Sequence, residues 1–448
     1  MNPIDLNENM DISHTFKDTS RDFNNLRNTT NHEYLKKMQD ILASTEFPNG
    51  FDTWNVQERH DWMYRNITEL FQNTPESLQH IIPAFIRPLD INRSQETLPE
   101  WMDMDKYRRG QKFVHDNYGS ITISLLASTV YINTFDDVLK PVIISKKSHT
   151  PYLAFKRYLS TLTRILSWLT GEPWVKETKA YKDLKMTRQK HAHINTKMSK
   201  LSNEQFAVEA KIADPLSLER ETFLKTFATE CPFKKLGQRP YKTLNASSVT
   251  TDFVNNGTMF NVQGGIITLI IIYSQNIGIQ DITDDDLEAY CHMWKCYGYL
   301  LGMEDEYNFC NGSLEQIKQR ARDFSQYWVT VNFTDIASQW IHIMRCIAES
   351  INYYPLIWTS DKTMILFFTK ALNVNMPNLY ASLSYKDWII YNFYNFLFHH
   401  ALKFSIIRSI VNRLTHHILE TASSYGPDKL AELREKSRKH LLEFSNKS

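Results

Sequence analysis

The chain has 448 residues, a formal net charge of +1 and 23% charged residues, a balance that excludes a polycationic nucleic-acid binder and an acidic disordered chain. Glycine is scarce, 13 of 448 residues, or about 3% against a typical ~7%; Gly-rich phosphate loops and tightly turned β architectures draw on glycine, so helices are expected. Aromatic residues make up 13% and hydrophobic residues 42%, enough to fill a large core and to leave room for an interior cavity.

Along the chain, residues 1–50 are polar and Asn-rich and read as a loosely packed lead-in. Residues 51–345 read as one helical domain and 346–448 as a helical extension packed on it. Between Trp54 and Pro99 the apolar spacing suits short helices broken at Pro75, Pro83 and Pro88, and Trp101 to Tyr131 reads as a helical pair. Ile266 to Tyr273 is an unbroken apolar run, too short for a bilayer that needs about 20 residues, and is expected in the core. Trp388 to Ile407 is long enough to span but contains Asn392, Asn395, His399, His400 and Lys403, which are costly in hydrocarbon. It is expected as a buried or partner-facing helix, with a membrane-surface helix left open.

The five cysteines, Cys231, Cys291, Cys296, Cys310 and Cys346, form no CxxC pair and are odd in number, which points to a reducing compartment rather than a zinc ribbon or disulfide scaffold. The first residues carry neither a basic nor an apolar signal region, so a cytoplasmic location is expected, with peripheral contact to an intracellular membrane left open. Triplets such as Asn66-Ile-Thr and Asn256-Gly-Thr match the glycosylation pattern in a chain rich enough in Asn to produce it by chance. Motifs for dinucleotides, nucleoside triphosphates, metalloprotease zinc, the serine-hydrolase elbow and EF-hand calcium are missing. His399-His400 and His416-His417 are adjacent on helices, where neighbours point about 100° apart, and cannot face one ion together.

Two helices carry the candidate chemistry. Thr150 as N-cap, Pro151 at N1 and Gly171 as the stop predict a helix of about five turns. Phe155, Tyr158, Leu159, Leu162, Ile165, Leu166 and Leu169 share its apolar side, while Arg157, Thr161, Arg164 and Trp168 line a second stripe. That stripe reads either as a solvated face or, with Leu153 and Trp168 at its ends, as the wall of a lined pocket. The next helix, from Lys179 to about Leu201, places Tyr181, Leu184, His191, Ile194 and Met198 on its only apolar stripe and turns His193 away. His191 reads either as a hydrogen-bonded core residue or as a ligand. A neutral imidazole in an apolar wall is what a haem iron needs, and Arg188, one turn earlier, suits a propionate. Further on, Thr283 as cap, three aspartates in the first turn, and Leu287, Tyr290, Trp294, Tyr297 and Leu301 predict a core helix ending near Gly302.

Taken in order, Arg108-Arg-Gly-Gln-Lys-Phe113, Arg157-xxx-Thr161, Arg188-xx-His191, Gln263 with the apolar run after it, and Asp284 through Trp294 to Gly302 resemble the rubber oxygenases (latex-clearing proteins) and the MpaB-type oxygenase of mycophenolic acid biosynthesis. The resemblance covers about Trp101 to Cys310. It implies an all-α, globin-like helical core binding haem b, with His191 as the axial iron ligand, Arg188 beside the cofactor, and Arg157 and Thr161 near the oxygen-binding face. Its further implication is a haem-dependent oxygenase acting on a carbon–carbon double bond of an isoprenoid or other unsaturated lipid. O₂ and a hydrophobic small molecule would be its partners. The family's distal Lys and its Glu base are not matched: Ser160 precedes Thr161, and no Glu stands at the corresponding place before Arg157. A changed substrate, a changed reaction, or a non-catalytic haem- or isoprenoid-binding protein fits that departure.

Overall fold

In a computed structural model of the chain, residues 47–71, 74–213, 215, 223, 253–333 and 336–445 are described; the lead-in up to residue 46 and Cys231 lie outside them. The described residues are all-α. The helices of nine residues or more are α1 Val56–Leu70, α2 Met104–Asp116, α3 Tyr118–Ile132, α4 Asp136–Ile144, α5 Pro151–Thr170, α6 Lys179–Met198, α7 Asn256–Tyr273, α8 Asp284–Leu300, α9 Leu314–Asp323, α10 Ser338–Ile351, α11 Asp361–Ala371, α12 Tyr385–His399, α13 Ser405–Ser423 and α14 Pro427–Ser445.

The capping signals of the sequence act as expected. Thr150 Oγ accepts the Leu153 N–H at 3.2 Å to start α5, and Thr283 forms a reciprocal capping box with Asp286 on α8. The acidic first turn of α8 also anchors a neighbour, because Arg109 on α2 donates to Asp285 and Asp286, both at 2.9 Å. Beneath that pair α2 and α8 cross closely: a Cβ at Gly110 would lie 2.7 Å from the Ala289 carbonyl oxygen, so glycine there sets the interhelix spacing. We expect Thr150→Ala to lower stability by about 1 kcal/mol, read as a lower denaturant midpoint at unchanged m-value.

The apolar run Ile266–Tyr273 belongs to a longer helix than its hydropathy alone marks. α7 begins at Asn256, whose side chain donates to the Arg87 and Pro88 carbonyls at 3.2 and 2.9 Å. Asn256 is fully buried, which removes it as a glycosylation acceptor. With the turn that follows, the helix is long and apolar enough to cross a membrane, yet 83% of that window is buried inside the protein. It is the central core helix, packed on α3, α4, α8 and α9.

One hydrophobic cluster runs from Phe51 to Leu419, and the expected division between residues 345 and 346 falls inside α10. The four described cysteines are buried and unpaired. The segment Trp388–Ile407 departs from the single helix expected: it is broken by the short turn Ala401–Lys403 between α12 and α13. Several of its largest side chains are exposed, which removes the buried alternative and leaves the partner-facing and membrane-surface ones. The break has a local cause: after α12, His400 leaves helical geometry (φ −124°, ψ −54°), and Phe404 is extended.

Candidate functional site

α5 and α6 pack against each other across the loop 171–178. Near the loop, Ser167 Oγ donates to Asp183 Oδ2 at 2.7 Å, and Arg164 approaches the same carboxylate at 3.7 Å. Farther from it, the Lys190 amine is held below its usual range by burial first and then by the cations Arg164, Lys147 and Arg157. Successive contacts therefore run in opposite directions along the two helices, as in an antiparallel pair. The loop is tied down from below, where Tyr107 donates its hydroxyl to the Gly171 carbonyl at 2.7 Å.

His191 lies where its helical phase predicts. Leu184 and Met198 on its stripe are buried, His191 and Ile194 are half-buried, and His193 is exposed. The ring is sealed unevenly. His191 Nδ1 is wholly buried and has no hydrogen-bond partner among the described residues, although the residue keeps some surface. Burial, with a smaller contribution from the Lys190 charge, pushes the imidazole down to about 4, so it is neutral at physiological pH. A neutral imidazole with a ring nitrogen that no described residue claims fits a haem's axial ligand. An axial ligand needs no cluster, and among the described residues no three or more His, Cys, Asp or Glu side chains stand together as a metal-ion site.

The other three predicted residues are placed differently. Arg188, one turn before His191, donates through Nη2 to the Ile91 and Arg93 carbonyls at 2.8 and 2.6 Å. This fixes the guanidinium against the 91–93 turn and leaves its remaining N–H groups for an anion. Arg157 is half-buried, and its Nη1 donates to Ser145 Oγ at 3.0 Å and Ser148 Oγ at 3.4 Å, in the loop after α4. Thr161 is exposed, and so is Leu153 at one end of the stripe, whereas Trp168 at the other end is buried. The stripe is thus a wall at its Trp168 end and a surface at its Leu153 end. Arg157 is among the cations whose charge acts on Lys190, the neighbour of His191; Thr161 and Lys190 are themselves exposed.

Two features escaped the sequence. The charges of Arg164 and Arg157 on α5 act on the Lys190 amine of α6, which only the packing of the two helices reveals. A buried carboxylate also sits at the start of α4: Asp137 Oδ2 accepts from Thr258 Oγ1 at 3.1 Å and from the Asn261 amide at 3.4 Å. Asp137 Oδ1 has no hydrogen-bond partner among the described residues, and burial, assisted by Asp136, pushes the carboxyl up to about 6. Its faint signal was Thr258 and Asn261, three residues apart and so on one side of a largely apolar helix. Elsewhere, a groove of about 380 Å³ opens beside α2, lined by Arg109, Lys112, Asp116, Asp281, Asp286 and Arg408 among others. Its charged walls do not suit an unsaturated lipid.

No family model and no curated protein matches the chain. A solved structure, that of a latex clearing protein in the closed state, is similar to it over 82% of this chain and 88% of that one, at 12% sequence identity and a TM-score of 0.49.

Proposed function

We propose that the protein is a haem b-dependent oxygenase acting on a carbon–carbon double bond of an isoprenoid or other unsaturated lipid. The observation that carries the reading is His191, a neutral imidazole on the apolar stripe of α6 with a buried nitrogen that no described residue claims. Haem b, when bound, supplies iron-centred redox chemistry toward O₂. The chain's own part is to hold and orient. His191 would ligate, and Arg188, already fixed by two backbone carbonyls, would pair with a propionate. Arg157 would present a guanidinium held in place by two serine hydroxyls, with Thr161 one turn away on the same stripe. The test is an absorption spectrum of the full chain expressed with adequate haem, followed by oxygen uptake with an unsaturated lipid. A protein without a Soret band would instead be a cofactor-free helical interaction protein.

A specific feature supports a second reading, a non-catalytic haem- or isoprenoid-binding protein. Ser160 stands where the resembled family has its distal Lys, and Arg157 is partly engaged by Ser145 and Ser148. The two readings separate on oxygen uptake with an unsaturated lipid, which a non-catalytic binder lacks; the paired variants Arg157→Ala and Thr161→Ala then test the stripe. For the oxygenase, each is expected to keep haem content near normal and to lower oxygen-dependent turnover by roughly tenfold, because neither residue ligates iron. Haem lost equally from both variants would make the stripe structural, and unchanged turnover would make it a solvated face.

A further inference from the structure

We propose that the outward faces of α12 and α13, on either side of the turn at 400–404, dock on a phospholipid bilayer carrying anionic headgroups. On α12, Tyr385, Ile389, Phe393 and Phe396 recur at i, i+4, i+8 and i+11 and fall on one side of the helix. All are exposed, Tyr385 by 79% and Phe396 by 60%. Past the turn, Ile406 and Ile410, also i, i+4, are 73% and 54% exposed. The opposite sides of both helices are committed to the protein. Phe398 packs on Phe367 with ring centroids 5.3 Å apart, Asn412 Oδ1 accepts the Gly119 N–H at 2.9 Å, and His416 stacks on Tyr118. The apolar faces are therefore held outward by a fixed scaffold. Large side chains gathered in this way mark an interaction surface rather than the scatter of a monomer.

Charge selects the occupant. From 385 to 414 the sequence carries Lys386, Lys403 and Arg413, apart from the Arg408 that lines the groove beside α2, against a single acid, Asp387, whose carboxylate accepts from the Ser384 hydroxyl at 2.6 Å. At the turn, His399 is held below its usual range by burial and then by Lys370, His400 and Lys403, which marks a cationic edge. A second copy of this chain docked face to face would set these cations against their own counterparts. An anionic bilayer offers hydrocarbon to the aromatic and aliphatic side chains and headgroups to the cations. Tyr385 and Trp388 have the amphipathic rings that settle at such an interface.

The proposal stands apart from the haem reading, since vesicle binding is measured without haem. The full chain would be floated with vesicles of phosphatidylcholine alone and of phosphatidylcholine with phosphatidylserine, alongside Phe393→Gln/Ile406→Gln and Lys403→Glu/Arg413→Glu. We expect wild type to float with the anionic vesicles and to lose binding in high salt. The apolar pair should weaken binding by roughly a hundredfold, about tenfold for each buried side chain. The charge pair should remove the preference for phosphatidylserine. Unchanged thermal melts would show that these surface variants fold. No flotation with either vesicle, or unaltered flotation of the apolar pair, overturns the proposal. So does a dimer that the apolar pair dissociates without any vesicle binding, which would make the face a contact between copies.

Discussion

His191→Ala is expected to abolish stoichiometric haem binding, and His193→Ala to leave it unchanged. The two residues share a helix and a chemistry; they differ in which way they point. His193 is exposed, where a haem edge would meet water, and His191 lies on the stripe with Leu184, Ile194 and Met198. Ligation needs an unprotonated nitrogen, and the His191 ring, pushed to about 4 by burial, supplies one throughout the physiological range. The apo protein offers a second readout. Because His191 Nδ1 makes no hydrogen bond among the described residues, its removal forfeits none there. The apo variant should therefore unfold within about 1 kcal/mol of wild type. The haem-loaded wild type alone should gain stability from ligand linkage. A Soret band retained in His191→Ala, or lost only in His193→Ala, would refute the assignment.

Local signals in the sequence were sufficient wherever a helix is set by its own ends. Thr150, Pro151 and Gly171 mark α5, and Thr283 with its three aspartates marks α8, because caps and dipole act within one turn. The phase of α6 was equally legible, since Leu184 and Met198 buried at one side dictate where His191 falls. What could not be read is whatever depends on a second element. The surroundings of Arg157 are made by Ser145 and Ser148 from the preceding loop, and the exposure of Thr161 follows from what does not pack on it. The break at His400 also lay beyond periodicity. The apolar pattern continues through it, and α12 is committed to α11 while α13 is committed to α3, so one straight helix could not serve both.

The Asp137 carboxylate gives the clearest pH dependence of stability that the fold carries. Asp137 is 7% exposed and its carboxyl is pushed up to about 6, chiefly by burial, against about 3.9 in an unfolded chain. Below pH ~4 it is protonated in both states and costs nothing. As pH rises between ~4 and ~6 the unfolded chain loses this proton first, so stability falls, and above ~6 the full cost of burying the charge is present. A rise of that size corresponds to about 3 kcal/mol. Burial holds His80 and His191 at about 4; they act in the opposite sense, losing stability as pH falls below ~6.5, so the wild-type profile alone mixes the contributions. Asp137→Asn separates them. It keeps an oxygen to accept from Thr258 and Asn261 but cannot ionise. The stability of the variant minus that of wild type should lie near zero at pH ~4 and climb to about 1–3 kcal/mol in favour of the variant by pH ~7.5. Denaturant titrations of both proteins across that range would show it. A difference that stays flat with pH would mean that Asp137 ionises in the fold as easily as in water, with solvent or an ion reaching Oδ1.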